Sequence, residues 1–533
     1  MTLPGLMQPA QLTIGSIFDR MRTIYPEGEV VSPEGRITYG AIADRILRLC
    51  SVLTERFGIH PGDRVATFGF NSSRHFELYY AVPLVGAVLH TVNVRLFPEQ
   101  IEYVMNHAED RVVFFDGDLA PNIEEIAPRL KTVDAFVGMG AATASGLSPL
   151  FDHDELIAAT QPAPSLPNVP ENAACGLCYT SGTTGMPKGV LSSHRGMWLH
   201  SLAQCTADCL GLREADRVFP IVPMFHAFAW GLPYSAPFTG AELIFHGSDT
   251  TSPNVGRLLQ DERVTVTAAV PTIWKELLPH LQSGEFDISS VRGIYIGGSA
   301  VPQPLIEAYH ALGSKIVQLW GMTETGPLAC VSYPRRPHTS LDEKGLFELR
   351  AKTGTIMPGV ELRIAAPDGK IMPWDGKSVG EIEVRGPWIA GAYYNDDSSD
   401  EKFHDGWLRT GDMAYVEPEA VFKIVDRAKD LVKSGGEWIS SVELEGALLG
   451  HPKIRDAAVV GIKSAKWDER PVAVIVPRGE APTLESIREF LAPNFAKWWL
   501  PDDVVVVDEI PKTSVGKLDK KVLRAKLGDL ELP

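Results

Sequence analysis

Apolar runs and polar punctuation alternate with a regular rhythm between residues 63 and 116. Arg64 to Phe70 predicts a strand, Asn71-Ser72 offers a helix N-cap, and Arg74 to Val85 predicts a helix. Ala87 to Val92 predicts a second strand, Pro98 opens a helix that runs to Ala108, and Arg111 to Asp116 predicts a third strand. The same alternation returns at Val264 to Val270 with a helix from Pro271 to Leu281. Gly293 to Ile296 precedes a helix near Pro302 to Leu312, and Lys315 to Leu319 is another strand. Strands alternating with helices predict a parallel sheet covered by helices, an α/β fold. From about residue 355 the texture changes to short alternating segments such as Glu361 to Ile364 and Glu381 to Arg385, separated by Gly and Pro. These predict a small antiparallel barrel or sheet. After Asp430 short helices and strands lead to a basic tail. No fixed-period repeat is present, which excludes a solenoid.

The pattern covers 533 residues, too many for one ordinary core, so two to four units are expected, at least one of them large. Hydrophobic residues at 44% and charged residues at 22% exclude disorder as the main character. Fifty basic against 67 acidic residues give a net charge of −17, a surface that disfavours nucleic acid. Residues 429–533 carry 16 basic and 17 acidic residues by count, so almost all of that charge lies earlier. In the tail, Lys512, Lys517, Lys520, Lys521, Arg524 and Lys526 face a single Asp519, suited either to solvent or to an anionic ligand held by the larger body. Met1 to Phe18 has no Lys or Arg, so no secretory signal is expected. Leu78 to Val94 is interrupted by Pro83 and His90 and falls short of the ~20 residues that span a bilayer. A cytoplasmic protein is expected. Cys175 and Cys178, followed by Cys205 and Cys209, have the ligand types of a zinc site. Ala173 to Tyr179 nevertheless reads as a strand, where residues three apart point to opposite faces, so the strand is the preferred reading.

The most informative segment is Thr180-Ser181-Gly182-Thr183-Thr184-Gly185-Met186-Pro187-Lys188-Gly189. Its glycines let the backbone turn tightly and point N–H groups inward, while four hydroxyls and a lysine add donors and charge. That combination suits a polyphosphate, although the Walker A spacing is absent. The segment resembles the signature loop of the adenylate-forming superfamily, which comprises acyl-CoA synthetases, adenylation domains of peptide synthetases and beetle luciferases. Further motifs resemble that family in its own order: Pro223 to Phe228, Gly297 to Ala300, Trp320 to Thr325, Thr410 to Asp412, Asp426 to Asp430 and Pro511 to Lys517. Lys433 to Ser441, Lys466 to Pro471 and Lys497 to Asp502 resemble one branch, which contains 3-methylmercaptopropionate–CoA ligases and short- to medium-chain fatty acid–CoA ligases.

The resemblance implies a large N-terminal domain over 1–428, its barrel-like part at about 355–425, and a small mobile C-terminal lid over 429–533. It implies a two-step reaction with ATP, Mg²⁺ and CoA. A carboxylate displaces pyrophosphate from the α-phosphorus, and the CoA thiolate then displaces AMP from the acyl carbonyl. Bringing an anion to an anion makes charge neutralisation and alignment the main tasks. By the same resemblance Thr180, Gly182 and Gly185 belong to the ATP loop, and Ser181, Thr183, Thr184 and Lys188 hold the β- and γ-phosphates. Gly321 and Met322 border the nucleotide, Thr323 touches the α-phosphate and Glu324 binds Mg²⁺. Gly298, Ser299, Ala300 and Trp320 frame the adenine; the family usually has Tyr at this last position, and an indole lacks the phenol's polar tip. Asp412 takes the ribose hydroxyls with Arg427 nearby.

Lys517 is the expected catalytic lysine and Lys429 the hinge. The turn Ser434, Gly435, Gly436 and Glu437 lines the pantetheine channel, with Trp438 walling it or packing on the large domain. His226 is the gate, and His226, Trp230, Gly231, Trp274 and Gly297 are the expected acyl pocket. Two indoles predict a short pocket whose faces suit a thioether sulfur. The expected function is thus acid–CoA ligation with 3-methylmercaptopropionate leading, and general short- to medium-chain fatty acids or transfer to a carrier protein as alternatives. A non-catalytic nucleotide- or acyl-binding relative is the reading from another class. The resemblance is compatible with a homodimer.

Overall fold

The computed structural model of the chain describes residues 3, 5–140, 146–180, 186–434, 437–464, 466–512 and 518–528, with the side chains of Ser398 and Glu437 left out. A seven-stranded sheet runs in the order Leu150–Asp152, Ala135–Met139, Asp110–Asp116, Arg64–Phe68, Val88–Thr91, Ala174–Tyr179 and Gly189–Ser193. All its pairings are parallel except the last. A nine-stranded sheet runs Thr355–Ile356, Leu328–Val331, Ile316–Gly321, Gly293–Ile296, Val266–Ala269, Arg217–Pro220, Glu242–Ile244, Glu29–Ser32 and Gly35–Thr38. Its six middle strands, from Ile316–Gly321 to Glu29–Ser32, are parallel.

The strands are apolar on both faces because both faces are covered. Val65, Leu89 and Phe114 share the central cluster with Val218, Leu243 and Tyr295 of the other sheet. Their chain neighbours Ala66, Val88, Val113 and Phe115 point the opposite way, onto Ile101, Val104 and Met105 of the helix Pro98–Ala108. Behind the nine-stranded sheet, Phe219, Ile294 and Ile296 pack on Trp274 and Leu277 of the helix Pro271–Gln282. The alternating rhythm read from the sequence is therefore the α/β architecture observed.

The segment after residue 355 forms a five-stranded antiparallel sheet of Glu361–Ala365, Gly380–Arg385, Trp407–Val416, Phe403–His404 and Phe422–Arg427. Burial along Trp407–Val416 alternates strictly, as one core-facing side requires. A smaller C-terminal unit carries Val432–Ser434, Glu437–Ile439, Ile454–Ser464, Asp468–Pro477 and Asp503–Val506 in one sheet. The helices Ser441–Leu448 and Leu484–Leu491 cover one of its faces, and Leu523 of the helix Lys520–Lys526 covers the other. All six cysteines are free, five of them buried and Cys205 half-buried. Among the described residues no helix is long and apolar enough to cross a membrane.

Candidate functional site

Parallel neighbours deliver their C-terminal ends to one edge of a sheet, which is where ligands bind in open α/β folds. Gly293–Ile296 runs there into Gly297 to Ala300, and its neighbour Ile316–Gly321 runs into Met322 to Thr325. The second of these turns is tightly fastened. The Met322 N–H donates to Thr325 Oγ1 at 2.8 Å, and the Thr325 N–H returns to the Met322 carbonyl at 2.9 Å. Gly321 admits no side chain, since a Cβ would lie 1.8 Å from the Pro327 carbonyl oxygen. Thr323 is half-buried and Glu324 is 5% exposed.

Glu324 is joined to the phosphate loop through one tyrosine. Tyr393 Oη donates to Glu324 Oε1 at 2.7 Å, and Lys188 Nζ lies 4.9 Å from the centre of the Tyr393 ring. Lys188 Nζ is also 3.1 Å from Asp396 Oδ2. A backbone bridge between Gly189 and Tyr394 fixes this approach, the Tyr394 N–H donating to the Gly189 carbonyl at 2.8 Å. The loop is closed at its base by the Thr180 N–H to the Lys188 carbonyl, also 2.8 Å. Ser181, Gly182, Thr183, Thr184 and Gly185 lie outside the described residues, as do Gly435, Gly436, Lys517 and the Glu437 side chain.

Four residues before Glu324, the Trp320 indole N–H donates to Asp412 Oδ2 at 2.9 Å. The expectation that an indole lacks the phenol's polar tip is corrected here: the Nε1–H is itself that tip. Asp412 faces Arg427 across neighbouring strands, with Arg427 Nε 3.3 Å from Asp412 Oδ1. Asp412 is 6% exposed, so both contacts are made away from bulk water. Gly298 has φ +88°, a backbone conformation that favours glycine, and Ser299 and Ala300 beyond it are exposed.

The segment Pro223 to Phe228 is held by side chains from the other sheet. Asn71 Oδ1 accepts the Met224 N–H at 2.7 Å, while its Nδ2 donates to the Pro220 and Val222 carbonyls at 2.9 Å each. Ser72 alone is the helix N-cap, accepting from the His75 N–H at 3.2 Å; Asn71, expected to share that task, is instead this staple. Cys178 Sγ accepts the Ala227 N–H at 3.2 Å. After His226 the chain takes five consecutive positive φ angles, Ala227 45°, Phe228 50°, Ala229 47°, Trp230 57° and Gly231 79°. A left-handed turn costs roughly 1–2 kcal/mol per non-glycine residue, and strain of this kind gathers at ligand sites. Gln204 Nε2 holds the turn by donating to the Trp230 carbonyl at 2.8 Å.

The turn aims the Trp230 ring at Gly297, whose Cβ would come within 3.1 Å of it. Behind Gly231 the His200 ring is fully buried; burial lowers its pKa to about 3, so it stays neutral. Trp274 is not packed with Trp230 against the central cluster. It is fully buried in the second cluster, with its ring edge-on to Tyr309 at 5.7 Å.

In the C-terminal unit Lys429 is exposed, and Trp438 is 44% exposed with Lys433 Nζ 5.0 Å from its ring centre. The three branch motifs of the tail meet at a buried arginine. Arg470 donates to Ser434 Oγ at 2.8 Å, to the Trp498 carbonyl at 2.7 Å, and to both oxygens of Asp502.

Tyr393, Asp396, Arg95, Gln204 and His200 belong to none of the residues first singled out, and Asn71 was singled out only as a helix cap. Arg95 lies 5.7 Å from the Phe225 ring centre and has no ion pair among the described residues; burial lowers its pKa. Of these residues only Tyr393 could have drawn notice, as half of a Tyr-Tyr pair at 393–394 that lies outside every motif, beyond the barrel strand Gly380–Arg385.

Comparison with known proteins identifies the family. Residues 19–394 match the AMP-binding enzyme family and residues 443–517 match the AMP-binding enzyme C-terminal domain. A long-chain-fatty-acid–CoA ligase of Thermus thermophilus is 45% identical over 529 residues, 98% of this chain and 96% of that one. A 3-methylmercaptopropionyl-CoA ligase of Ruegeria pomeroyi is 41% identical over 537 residues, 99% of each. Among solved structures, ATP-bound MatB from Rhodopseudomonas palustris superposes with a TM-score of 0.84 at 25% identity, over 97% of this chain and 99% of that one. The anthranilate CoA ligase AuaEII with anthranoyl-AMP gives 0.89 at 24% identity, over 97% and 98%, which speaks for the fold.

Proposed function

Since this chain belongs to the AMP-binding enzyme family, and within it is an AMP-forming acyl-CoA ligase acting through an acyl-adenylate, we propose that it activates short to medium acids, with 3-methylmercaptopropionate leading. ATP and CoA are its co-substrates. The observation that carries the assignment of roles is the Lys188–Tyr393–Glu324 junction, which sets one cation and one carboxylate on either side of a single phenol.

Lys188 neutralises the β- and γ-phosphates, and Thr323 donates to the α-phosphate at the turn that Thr325 fastens. Glu324 fits Mg²⁺, which takes one or two carboxylates and completes its shell with substrate phosphates and water. Its charge, when bound, offsets that of the phosphates; Tyr393 meanwhile holds the carboxylate in place. Asp412 accepts from the ribose hydroxyls, oriented by Trp320 and Arg427, and Gly298, Ser299 and Ala300 edge the adenine. The carboxylate oxygen of the acid attacks the α-phosphorus and pyrophosphate leaves. Lys517 bridges these two anions as charge builds between them.

Residues 1–428 then act as the body and 429–533 as the lid, turning at Lys429. The lid brings Ser434 to Glu437 to the pantetheine, with Ser434 steadied by Arg470. The CoA sulfur attacks the acyl carbonyl past His226 and AMP leaves. Trp230, Gly231 and Gly297 line the acyl side. The cytoplasm, where ATP and CoA are abundant, and a homodimer complete the proposal.

An aromatic wall against Gly297 supports a short acyl group with a polarisable sulfur. The 45% identity to a ligase named for long chains favours a second reading, an extended aliphatic acid. CoA-dependent AMP formation from acetate to octanoate and palmitate, with 3-methylmercaptopropionate included, decides between them. A kcat/KM maximum at the thioether over pentanoate supports the first. A profile rising steadily with chain length supports the second.

A further inference from the structure

The helix Lys520–Lys526 begins three residues beyond Lys517, and Lys520 and Arg524, four positions apart, both fasten to the lid side of the hinge, from which Ser441 reaches across to Asp426. Lys520 Nζ donates to Ser441 Oγ at 2.6 Å and pairs with Glu445 Oε1 at 2.7 Å. Ser441 in turn gives both its N–H (2.7 Å) and its hydroxyl to Asp426 Oδ2, and Asp426 Oδ1 accepts the Arg427 N–H at 2.7 Å. One helical turn on, Arg524 pairs with Asp430 Oδ1 at 2.7 Å. The segment Arg427 to Lys429 is thus bracketed by Asp426 and Asp430, both tied to one helix.

These groups are sealed from water: Asp426 is 1% exposed, Ser441 0%, Glu445 7% and Lys520 8%. Losing one partner of a buried charged network leaves the other without compensation, so partly broken forms of the network are disfavoured. The other polar ties across the hinge are weaker in kind. Lys423–Glu443 at 2.7 Å and Lys275–Asp456 at 3.3 Å are half-exposed ion pairs, which contribute little. Ser440 Oγ donates to the Val425 carbonyl beside them. Lys512 and Leu518 bridge across the foot of the Lys517 segment, and the Asp519 N–H donates to the Pro511 carbonyl at 2.8 Å. Whatever fixes Lys520 therefore also fixes the two ends of that segment.

We propose that Asp426, Ser441 and Lys520 form a buried clasp across the hinge, positioning residues that set the balance between the two half-reactions by holding the lid in one of its arrangements. This rests on Lys517 as the catalytic lysine and Lys429 as the pivot. Asp426 stays with the strand Phe422–Arg427 when the lid turns, whereas Ser441, Glu445, Lys520, Asp430 and Arg524 travel together. The Asp426–Ser441 contact is the one that breaks, and Glu445 keeps Lys520 paired in both arrangements.

The test uses full-length Asp426→Asn and Ser441→Ala. The latter removes the hydroxyl, and with it the link to Asp426 and the acceptor for Lys520, but leaves the Ser441 N–H bond to Asp426 and the Lys520–Glu445 pair in place. Acid-dependent pyrophosphate release without CoA reads the first half-reaction, and thioester formation from supplied acyl-AMP and CoA reads the second. The ratio of the two rates is expected to move at least fivefold in Asp426→Asn and in the same direction, by less, in Ser441→Ala. Trypsin cutting after Arg427 or Lys429, beside the exposed Ala428, is expected to quicken in parallel. That readout needs neither acid nor CoA, so a wrong substrate assignment leaves it decisive. An unchanged ratio with unchanged cutting in both variants, or an equal loss of both half-reactions in Asp426→Asn with Ser441→Ala like wild type, overturns the clasp.

Discussion

At the scale of single residues, Trp320 shows how a departure from a motif can keep its chemistry. The motif expects an aromatic ring with a polar tip, and the indole supplies one to Asp412 at 2.9 Å. Hydrogen bonds to charged groups contribute about 1.5–3 kcal/mol. Trp320→Phe should therefore raise KM for ATP about tenfold or more, measured in the adenylation half-reaction, with a smaller effect on kcat. Trp320→Tyr should recover part of that loss. Lys188, Glu324, Asp412 and Arg427 were legible as candidates because each sits in a motif with a chemical reason for its residue type. Tyr393, Asp396 and Asn71 were not. Their partners lie 69, 208 and 153 positions away, in Glu324, Lys188 and Met224, and no local spacing encodes such contacts. Trp274 illustrates the reverse case, for a tryptophan in a helix is the same letter whether its ring meets substrate or the core.

Among the elements, the strands and helices of the two large sheets were legible because their apolar runs are short, buried on both faces and bounded by caps or prolines. Helix Pro98–Ala108 and strand Gly293–Ile296 lie where the pattern puts them. The left-handed turn from Ala227 to Gly231 was not, since four of its five residues are ones that rarely take positive φ. Its conformation is imposed from outside, by Gln204, Cys178 and the Asn71 staple. Here the usual effect of glycine reverses. In a helix Ala→Gly destabilises by roughly 0.5–1 kcal/mol, but Ala229→Gly removes a left-handed penalty of about 1–2 kcal/mol and should be neutral or stabilising. Urea unfolding checks this. The same variant should blur selection by chain length, because Trp230 is aimed by that turn.

For the whole molecule, parallel αβ layers, an antiparallel segment after about residue 355 and a run of short elements after Asp430 were foreseeable from texture, whereas the division of the parallel strands between two large sheets was not. The docking of the hairpin Glu29–Thr38 onto the far sheet was not, because pairing across two hundred residues leaves no local trace. Global stability should carry the mark of Asp116, at the end of the strand Asp110–Asp116. Burial raises its pKa to about 7 from 3.8, against the Phe70 N–H bond that lowers it. The folded chain thus holds a proton that the unfolded chain releases. That contribution is complete below pH 3.8 and is lost as pH climbs through 7, each pH step of one between those values costing about 1.4 kcal/mol. Asp116→Asn should raise Tm by more at pH 8 than at pH 5, as thermal melts at the two values would show. The buried cysteines have a different kind of consequence. A protein that consumes a thiol at every turnover keeps five of its own six buried, burial raising Cys175 to about 12 and Cys178 to about 11. The native enzyme can therefore be followed continuously with a thiol-specific chromogenic reagent, free CoA supplying the colour and only the half-buried Cys205 standing to add a background, which Cys205→Ser would remove.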